Sequence, residues 1–347
     1  MKTPTRPLLL LFTVYLATTL LGGCAPAKWR PVTLKGEEIC WPPGADCKVR
    51  YAGAISEFTQ EGQSIATFIT GKSLDGKIQR PVAVAIGPDG VMAIADQGRQ
   101  GVHLYIPARK LYTMIVLAGK QERLASPVAV AFDDAANLYV TDSQLNAIIL
   151  YDAAGNHLRT IAAVDNVPLQ RPTGITFNPR DKRLYVAETL SHRILVFSRM
   201  GEFITAIGSR GEATGQLNFP VQLAADQQGM LFVTDSMNFR AQLYNPDNNI
   251  WSAFGRHGNG SGDFASPKGI AGDGAGYIYV AETLFDNVQI FDRQGVYLLA
   301  IGSQGNGPGQ FWMPSGLFID IPIGRLYVCD TYNQRIQIFE LLTGTAQ

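Results

Sequence analysis

The chain has 347 residues with 29 basic and 29 acidic side chains, so its formal net charge is zero. A neutral protein lacks the broad positive field that attracts a phosphate backbone, which argues against a nucleic-acid partner. Glycine (36) and proline (19) are plentiful, 46% of residues are hydrophobic and only 17% are charged. This composition is typical of many short strands joined by tight turns around an ample core.

The N-terminus has the pattern of an export signal. Lys2 and Arg6 precede an apolar stretch, Leu8 to Leu21, which ends in two glycines and Cys24. A basic start, an apolar segment of this length and small residues before a cut predict a signal peptide over residues 1–23. The segment is too short for a convincing membrane span. Its removal takes away two basic residues and no acidic ones, leaving 27 against 29, a net charge of −2.

The end of this segment, Leu21 to Cys24, resembles the bacterial lipobox, in which the cysteine is acylated and becomes the new N-terminus. Several acyl chains on one residue anchor a protein stably, whereas a single acyl group binds membranes marginally. The resemblance implies a lipid anchor at Cys24; the alternative is an ordinary cleaved signal with an incidental cysteine. Ala25 stands where lipoproteins kept in the inner membrane usually carry Asp. In a two-membrane bacterium we therefore expect the outer membrane, with the protein facing the periplasm.

The remaining cysteines lie in two different settings. Cys40 and Cys47 flank a turn-rich hexapeptide within residues 24–48, a segment that we interpret as a tether. In an exported protein a local disulfide between these two cysteines is plausible. Cys329 lies in an apolar run and is predicted to be a small buried hydrophobe. Because the cysteine spacings suit no zinc site, we expect neither a metal nor another cofactor.

The remainder of the sequence is built from a repeat of 45 to 48 residues. Each unit opens with a proline, has an acidic residue 15 or 16 positions later, and has an aromatic residue nine positions after the acid. The prolines are Pro81, Pro127, Pro172, Pro220, Pro267 and Pro314. The acids are Asp96, Asp142, Glu188, Asp235, Glu282 and Asp330. The aromatics are Tyr105, Tyr151, Phe197, Tyr244, Phe291 and Phe339. Six units that agree at both offsets identify an internal repeat.

Each unit has the pattern of four short strands. Alternating apolar residues between Gly and Asp turns favour strands over helices, as in Tyr277 to Ala281 of the fifth unit. Four antiparallel strands per 40–50 residues, repeated radially, form a propeller blade. The last unit ends after its third strand, and residues 49–56 have the pattern of the missing fourth. We therefore predict an all-β fold over residues 49–344, a six-bladed β-propeller whose N-terminal strand closes the last blade and removes two exposed sheet edges.

These units resemble the NHL repeat, a propeller unit written roughly Pro-x-Gly-Ile…Leu-Tyr-Val-Ala-Asp-Thr…His-Arg-Ile-x-Val-Phe. The third unit matches best, with Pro172 to Ile175, Leu184 to Thr189 and His192 to Phe197. The resemblance spans about residues 81–340 and implies the propeller fold. NHL propellers include protein-binding, RNA-binding and enzymatic members, so the resemblance implies no single function. With the lipobox, the protein is similar to exported bacterial NHL-repeat lipoproteins. The motif arginine survives only as Arg193, Arg240 and Arg335.

The six strand-end acids are open to two interpretations. A ring of carboxylates could bind a cation. Alternatively, an acid at a strand end accepts hydrogen bonds from backbone N–H groups of the following loop and pairs with the motif arginine five residues later. Because every unit carries one acid, a structural role explains all six with a single cause, and this is the interpretation that we favour.

Loops that meet around the channel on one face of a propeller offer a recognition surface. We expect the loops between second and third strands, and the loops that lead into the next blade, to present aromatic and basic side chains on a rigid ring. The candidates are Arg80, Arg171, Lys268, His192, Phe219, Phe239, Phe285, Trp312 and Tyr332. The plain alternative for each is blade-to-blade packing or a solvated charge. We expect a binding or scaffold module for a partner protein, peptide or glycan, held at the membrane by its lipid.

An enzyme is the alternative, because some related propellers are lyases or lactonases. One amidating lyase of this broader class holds zinc with histidines just before the strand-opening prolines, and no histidine stands at those places in this sequence. The four histidines form no carboxylate–histidine cluster suited to metal-assisted catalysis. We therefore predict no catalytic residue, and we rank a metal-assisted lyase or lactonase at the channel mouth below binding.

The connection over residues 57–80 departs most from the repeat. Ile55 and Pro81 are 26 residues apart, whereas the equivalent Ile207 and Pro220 are 13 apart. A long loop in a regular ring is either functional or a cap over the last blade junction, and the sequence leaves both interpretations open.

Overall fold

The computed structural model describes residues 27–36, 38–61 and 76–342. The predicted signal peptide, the lipidation site at Cys24 and residues 62–75 of the long connection lie outside this part of the protein. Within it, no helix is long and apolar enough to cross a membrane.

The strands follow the repeat in sequence order. Four strands precede the first repeat: β1 (Trp29–Leu34), β2 (Cys40–Trp41), β3 (Val49–Gln60) and β4 (Gly76–Lys77). Blade 1 consists of β5 (Pro81–Ile86), β6 (Met92–Asp96), β7 (Gly101–Ile106) and β8 (Leu111–Ile115). Blade 2 consists of β9 (Pro127–Phe132), β10 (Leu138–Asp142), β11 (Ala147–Tyr151) and β12 (His157–Ile161), followed by the short hairpin β13 (Ala163–Val164) and β14 (Val167–Pro168).

The later blades repeat this arrangement. Blade 3 consists of β15 (Pro172–Asn178), β16 (Arg183–Glu188), β17 (Arg193–Ser198) and β18 (Phe203–Ile207). Blade 4 consists of β19 (Pro220–Ala225), β20 (Leu231–Asp235), β21 (Arg240–Asn245) and β22 (Ile250–Phe254). Blade 5 consists of β23 (Pro267–Gly272), β24 (Ile278–Glu282), β25 (Asn287–Phe291) and β26 (Tyr297–Ile301). Blade 6 contains β27 (Pro314–Asp320), β28 (Arg325–Asp330) and β29 (Arg335–Leu341). Single 3-10 turns occur at Pro88–Gly90, Pro107–Arg109, Thr189–Ser191, Ser236–Asn238 and Ile321–Ile323.

Burial along each blade follows the order of its strands. Every blade opens at the repeat proline. Proline has no N–H to donate to a neighbouring strand, and the first position of a strand is one of the few places in a sheet where this is tolerated. The first strands of successive blades contact one another around a ring, with the first strand of blade 6 against that of blade 1. Second strands such as β10 are buried throughout, and outer strands such as β18 are mostly exposed. The core therefore lies between neighbouring blades, where Leu217, Phe264 and Phe311 are fully buried.

The ring is closed by the N-terminal part of the protein. Strand β3 pairs antiparallel with β29, from Ile336 opposite Ile55 to Leu341 opposite Val49. It thus supplies the fourth strand that the sixth repeat lacks, and the Arg50 guanidinium donates to the Glu340 carboxylate at 2.6 Å. The predicted six-bladed β-propeller, with its closing strand, is confirmed.

The segment interpreted as a tether is largely part of the folded body. Strand β1 pairs with the second half of β3, and the Trp29 ring is buried 4.8 Å from the ring of Tyr112 in blade 1. Strand β2 also pairs with β3, and a disulfide joins Cys40 to Cys47. Strands β1 and β2 join the body instead of forming a free tether because they cover the outer edge of blade 6 and bury an indole that a free tether would expose.

Cys329 lies in the interior of blade 6, on strand β28. Its side chain has no exposed surface, and burial raises the pKa of the thiol well above its ordinary value. It is packed as a small apolar side chain.

Candidate binding face

The loops of each blade emerge on two opposite faces of the ring. On one face, the loop between the second and third strands bonds to the segment before the repeat proline, as where Gln97 N–H donates to the Arg80 carbonyl at 3.0 Å. The other pairs are Ser143 to Ser126, Thr189 to Arg171, Met237 to Asn218, Thr283 to Ser266 and Tyr332 to Trp312. We call this surface the loop face. The connections Pro88–Gly90 and Pro107–Arg109 contact each other on the opposite face.

The strand-end acids hold the loop face together. All six are buried, and each accepts an N–H from the second residue before its own blade's proline, at 2.6 to 3.0 Å. The arginine pairs are Arg193 with Glu188 at 2.6 Å, Arg240 with Asp235 at 2.8 Å and Arg335 with Asp330 at 2.8 Å. In blade 1, His103 takes that role and contacts Asp96 at 3.1 Å. Within the described part of the protein, no group of three or more His, Cys, Asp or Glu side chains could hold a metal ion.

The amide before each repeat proline is bonded in one of two ways. In blades 1, 2 and 5 it donates to the same strand-end acid. In blades 3, 4 and 6 the residue has a left-handed φ of 52° to 54°, and its N–H donates to a side chain of the preceding blade. These bonds run from Arg171 to Asn146 (2.9 Å), from Phe219 to His192 (3.2 Å) and from Met313 to Asp286 (2.6 Å).

This geometry changes the interpretation of His192 and Phe219, which the sequence suggested as ligand contacts. His192 is buried, its ring centroid lies 4.5 Å from that of Phe219, and its Nδ1 accepts the Phe219 N–H. Burial, followed by the charge of Arg210, lowers the pKa of His192. The pair therefore joins blades 3 and 4 and presents little surface to a ligand.

Three of the candidate residues meet on the exposed surface at the junction of blades 6 and 1. The rings of Trp312 and Tyr332 lie 5.4 Å apart, and the Arg80 guanidinium lies over the Tyr332 ring at 5.7 Å. Trp312 is 50% exposed and Tyr332 43% exposed, which is unusual for aromatic rings of this size. The result is a row of aromatic, aromatic and cationic groups.

Lys268 lies at the channel mouth on the neighbouring blade. It follows Pro267 in the innermost strand of blade 5, and its side chain is exposed. The surrounding protein at the channel mouth partly desolvates the Lys268 ammonium and so lowers its pKa; the charge of Arg80 lowers it further, against a smaller opposite effect of Glu282. Arg80 and Lys268 thus stand at the same channel mouth, at the innermost strands of blades 1 and 5, with the innermost strand of blade 6 between them.

The other candidates lie elsewhere on the loop face. The ring centroid of Phe239 is 4.4 Å from that of His257, and Phe285 is half-buried. Arg171 is exposed in blade 3, three blades away from Tyr332 in either direction around the ring. The structure thus brings Arg80, Trp312 and Tyr332 into one row, with Lys268 at the channel mouth beside them. It joins His192 to Phe219 between blades 3 and 4, and it leaves the remaining three candidates apart from both groups.

Three exposed apolar side chains on this face were missed from the sequence, and together with the candidate Tyr332 they form a set. Each stands two residues after the strand-end acid, at the tip of the loop between the second and third strands, in blades 3 to 6. They are Leu190 (47% exposed), Met237 (52%), Leu284 (60%) and Tyr332 (43%). Blades 1 and 2 have Gly98 and Gln144 at this position. The register of the repeat contained the signal, although only the structure shows that these side chains are unpacked. We call the four, with Trp312, the apolar arc.

Two concave regions accompany this architecture. A groove of about 420 Å³ lies beside Trp312 and is lined by Gln304, Gly305, Asn306 and Asn333. On the opposite face, a funnel of about 420 Å³ follows the innermost strands into the channel. The groove adjoins the apolar arc. The funnel is lined mainly by apolar side chains of the innermost strands, among them Phe132, Phe177 and Phe318, and also by Asp133, Asp134 and Asp320.

Known proteins share this fold. A family model described as DUF5128, a 6-bladed beta-propeller, matches residues 272–346, which is less than half of the sequence. No curated protein matches the sequence. Similar solved structures include a gluconolactonase from Xanthomonas campestris (14% identity, TM-score 0.60, covering 92% of this protein and 99% of that one). Virginiamycin B lyase from Staphylococcus aureus is similar at 14% identity and TM-score 0.58, with 90% and 99% covered.

A third similar structure is an auxiliary nutrient binding protein from Bacteroides thetaiotaomicron, at 12% identity and TM-score 0.60, covering 90% of this protein and 76% of that one. At these identities the likeness shows the fold alone, and one fold carries many functions. The protein is a six-bladed β-propeller, and the lyase or lactonase alternative stays an untested prediction.

Proposed function

We propose that this protein is an NHL-type envelope propeller, anchored through a lipid on Cys24, that binds a partner protein or peptide with its loop face. The observation that carries the proposal is the apolar arc, in which Trp312 and four loop tips of consecutive blades expose 43% to 60% of large apolar side chains. Large apolar side chains that recur exposed on one face of a soluble protein point to a surface that a partner covers. Trp and Tyr are also the residues that most often dominate binding energy at interfaces.

A protein partner fits this surface better than a glycan. Three members of the arc, Leu190, Met237 and Leu284, are aliphatic, and a flexible methionine adapts readily to apolar side chains of a partner. The polar hydroxyls of a sugar would gain no hydrogen bond from these side chains.

The path of the backbone into the body supports a membrane-anchored orientation. The Trp29 N–H donates to the Lys110 carbonyl at 2.7 Å, and Lys110 closes the 3-10 turn Pro107–Arg109 on the face opposite the loop face. Cys24 is three residues before Ala27, and an extended backbone spans at most about 3.6 Å per residue. A lipid on Cys24 would therefore hold the opposite face toward the membrane and turn the apolar arc away from it.

The proposal is tested by capture with the mature lipidated protein in its native envelope. We expect Met237→Ser with Leu284→Ser to reduce the captured partner at least about tenfold, because buried hot-spot contacts contribute more than about 1 kcal/mol each. The matched control is Met200→Ser with Ile323→Ser, two exposed residues (64% and 55%) in loops of the opposite face, which should leave capture unchanged. Equal capture by both double variants would contradict the proposal.

A second arm identifies the class of the partner. Protease treatment of the envelope fraction before capture should abolish binding, whereas glycan-degrading treatment should leave it intact. The reverse pattern would identify a glycan and overturn the protein-binding proposal, even if the arc variants lose capture.

A further inference from the structure

The channel mouth beside the apolar arc carries two cations from different blades. Arg80 immediately precedes the innermost strand of blade 1, and Lys268 lies at the start of the innermost strand of blade 5. Blade 6 separates these blades, and its Tyr332 lies beneath the Arg80 guanidinium at 5.7 Å. Both side chains are exposed and are accessible to a ligand on the loop face.

Within the described part of the protein, neither cation is neutralised by an acidic partner, in contrast to the paired arginines of the opposite face. Arg180, Arg199 and Arg293 each contact an aspartate within 4.0 Å. Among the described residues, no carboxylate lies within that distance of Arg80 or Lys268. Two unneutralised positive charges on opposite sides of blade 6, at one channel mouth, favour an anion between them.

The base of the Arg80 side chain is held in place. The backbone N–H of Arg80 donates to the Asp96 carboxylate at 2.9 Å, and the backbone carbonyl of Arg80 accepts from the Gln97 N–H at 3.0 Å. The guanidinium carbon lies 5.7 Å from the centroid of the Tyr332 ring, a cation–π contact that restrains its position. A planar fork held in this way is suited to bidentate binding of a carboxylate.

We infer that Arg80 and Lys268 form an anion site that takes a carboxylate of the partner whose apolar side chains cover the arc. This inference rests on the proposed function and names the class of partner, an acidic and apolar peptide segment. The apolar tips around the site favour a peptide because aliphatic and carboxylate groups recur together in protein segments. The carboxylate belongs either to an acidic side chain or to a polypeptide C-terminus.

The test uses the mature protein and 12-residue peptides of stated composition, with affinity measured by fluorescence anisotropy. One peptide contains Leu and Glu, a second contains Leu and Gln, and each is made with a free and an amidated C-terminus. We expect the glutamate peptide to bind at least about tenfold more tightly than the amidated glutamine peptide, and the difference to shrink with salt. Tighter binding of only the free C-terminal forms assigns the site to a C-terminus.

Variants then locate the site. Arg80→Gln with Lys268→Gln should reduce the affinity for the glutamate peptide to that for the glutamine peptide and leave the latter unchanged. Arg80→Lys should restore part of the preference, since it keeps the charge without the planar fork. The control Lys182→Gln removes an exposed cation that pairs with Asp134 at 2.9 Å away from the loop face, and it should change neither affinity.

Failure of the anion site and failure of the proposed protein-binding function give different results. A wild-type protein with no preference for carboxylate, or an Arg80/Lys268 variant that keeps the preference, overturns the anion site. The protein-binding proposal survives that result if Met237→Ser with Leu284→Ser still weakens both peptides. If that arc variant binds both peptides like wild type, the proposed function fails instead.

Discussion

At the scale of single residues, the loop face is held by side chains that share a position and differ in chemistry. Asn146, His192 and Asp286 end the same loop of three blades with φ between 50° and 54°, and each accepts the N–H of the residue before the next proline. Any acceptor that reaches this amide satisfies it. The histidine is therefore one solution to a structural requirement, and its buried position follows from that requirement.

The pH dependence of stability should reveal this role. The pKa of His192 is lowered from 6.5 by burial, so below about pH 6.5 the unfolded state binds more protons than the folded state. Stability must then decrease as the pH falls through this range, and level off below the folded-state pKa. His192→Asn keeps an acceptor, as Asn146 does one blade earlier, and should remove this contribution. Urea unfolding of both proteins from pH 7.5 to 5 measures the difference; parallel stability curves would contradict the assignment.

At the scale of elements, threonines connect five of the six blades to the next, the junction of blades 1 and 2 being the exception. Thr331 Oγ1 donates to the Pro81 carbonyl at 2.9 Å and so joins blade 6 to blade 1. Equivalent bonds to the next blade's first strand are made by Thr141, Thr189, Thr234 and Thr283. These threonines stand on either side of the strand-end acid, so that no single repeat position carries the link.

Thr331→Val should weaken the junction of blades 6 and 1. It leaves the buried Pro81 carbonyl without this donor, and an unsatisfied buried acceptor costs about 1–3 kcal/mol. Thr331→Ser keeps the hydroxyl and should lose much less. Thr205→Val, on the exposed strand β18, serves as the surface control and should stay within about 0.5 kcal/mol of wild type. Chemical denaturation checks all three, and a Val variant as stable as the Ser variant would show that the bond contributes nothing.

The strands of the blades could be predicted from the sequence, because a period of two and turn residues act locally. The predicted strand Tyr277 to Ala281 corresponds to β24, Ile278–Glu282, in the structure. Strand β1 could not be predicted, since Trp29–Leu34 has no counterpart in the repeat and its burial depends on Tyr112 and Phe58 of distant segments. Local pattern determines the elements here, and tertiary contacts determine which extra segments join them.

At the scale of the whole molecule, ring closure assembles the candidate site. Arg80 and Tyr332 are 252 positions apart in the sequence and meet only because blade 6 is placed beside blade 1. The sequence identified both residues as candidates by counting loop positions. The sequence could not identify the contact between them, the place of Lys268 at the same channel mouth or the distance of Arg171 from Tyr332. These depend on the arrangement of the blades and on the direction of each side chain.

Ring closure should also make one position of the closing strand contribute far more to stability than the equivalent positions of other outer strands. Tyr51 in β3 and Phe203 in β18 occupy the same position of blades 6 and 3, opposite Phe339 and Phe197, with ring centroids 5.8 Å and 5.9 Å from them. Tyr51 is 7% exposed because N-terminal residues cover it, whereas Phe203 is 37% exposed. Tyr51→Ala should lower the free energy of unfolding by about 3–5 kcal/mol, and Phe203→Ala by clearly less. Guanidinium unfolding, with size-exclusion chromatography to detect association through an opened sheet edge, compares the two. Equal losses in two soluble monomers would mean that the closing strand contributes no more than an ordinary outer strand.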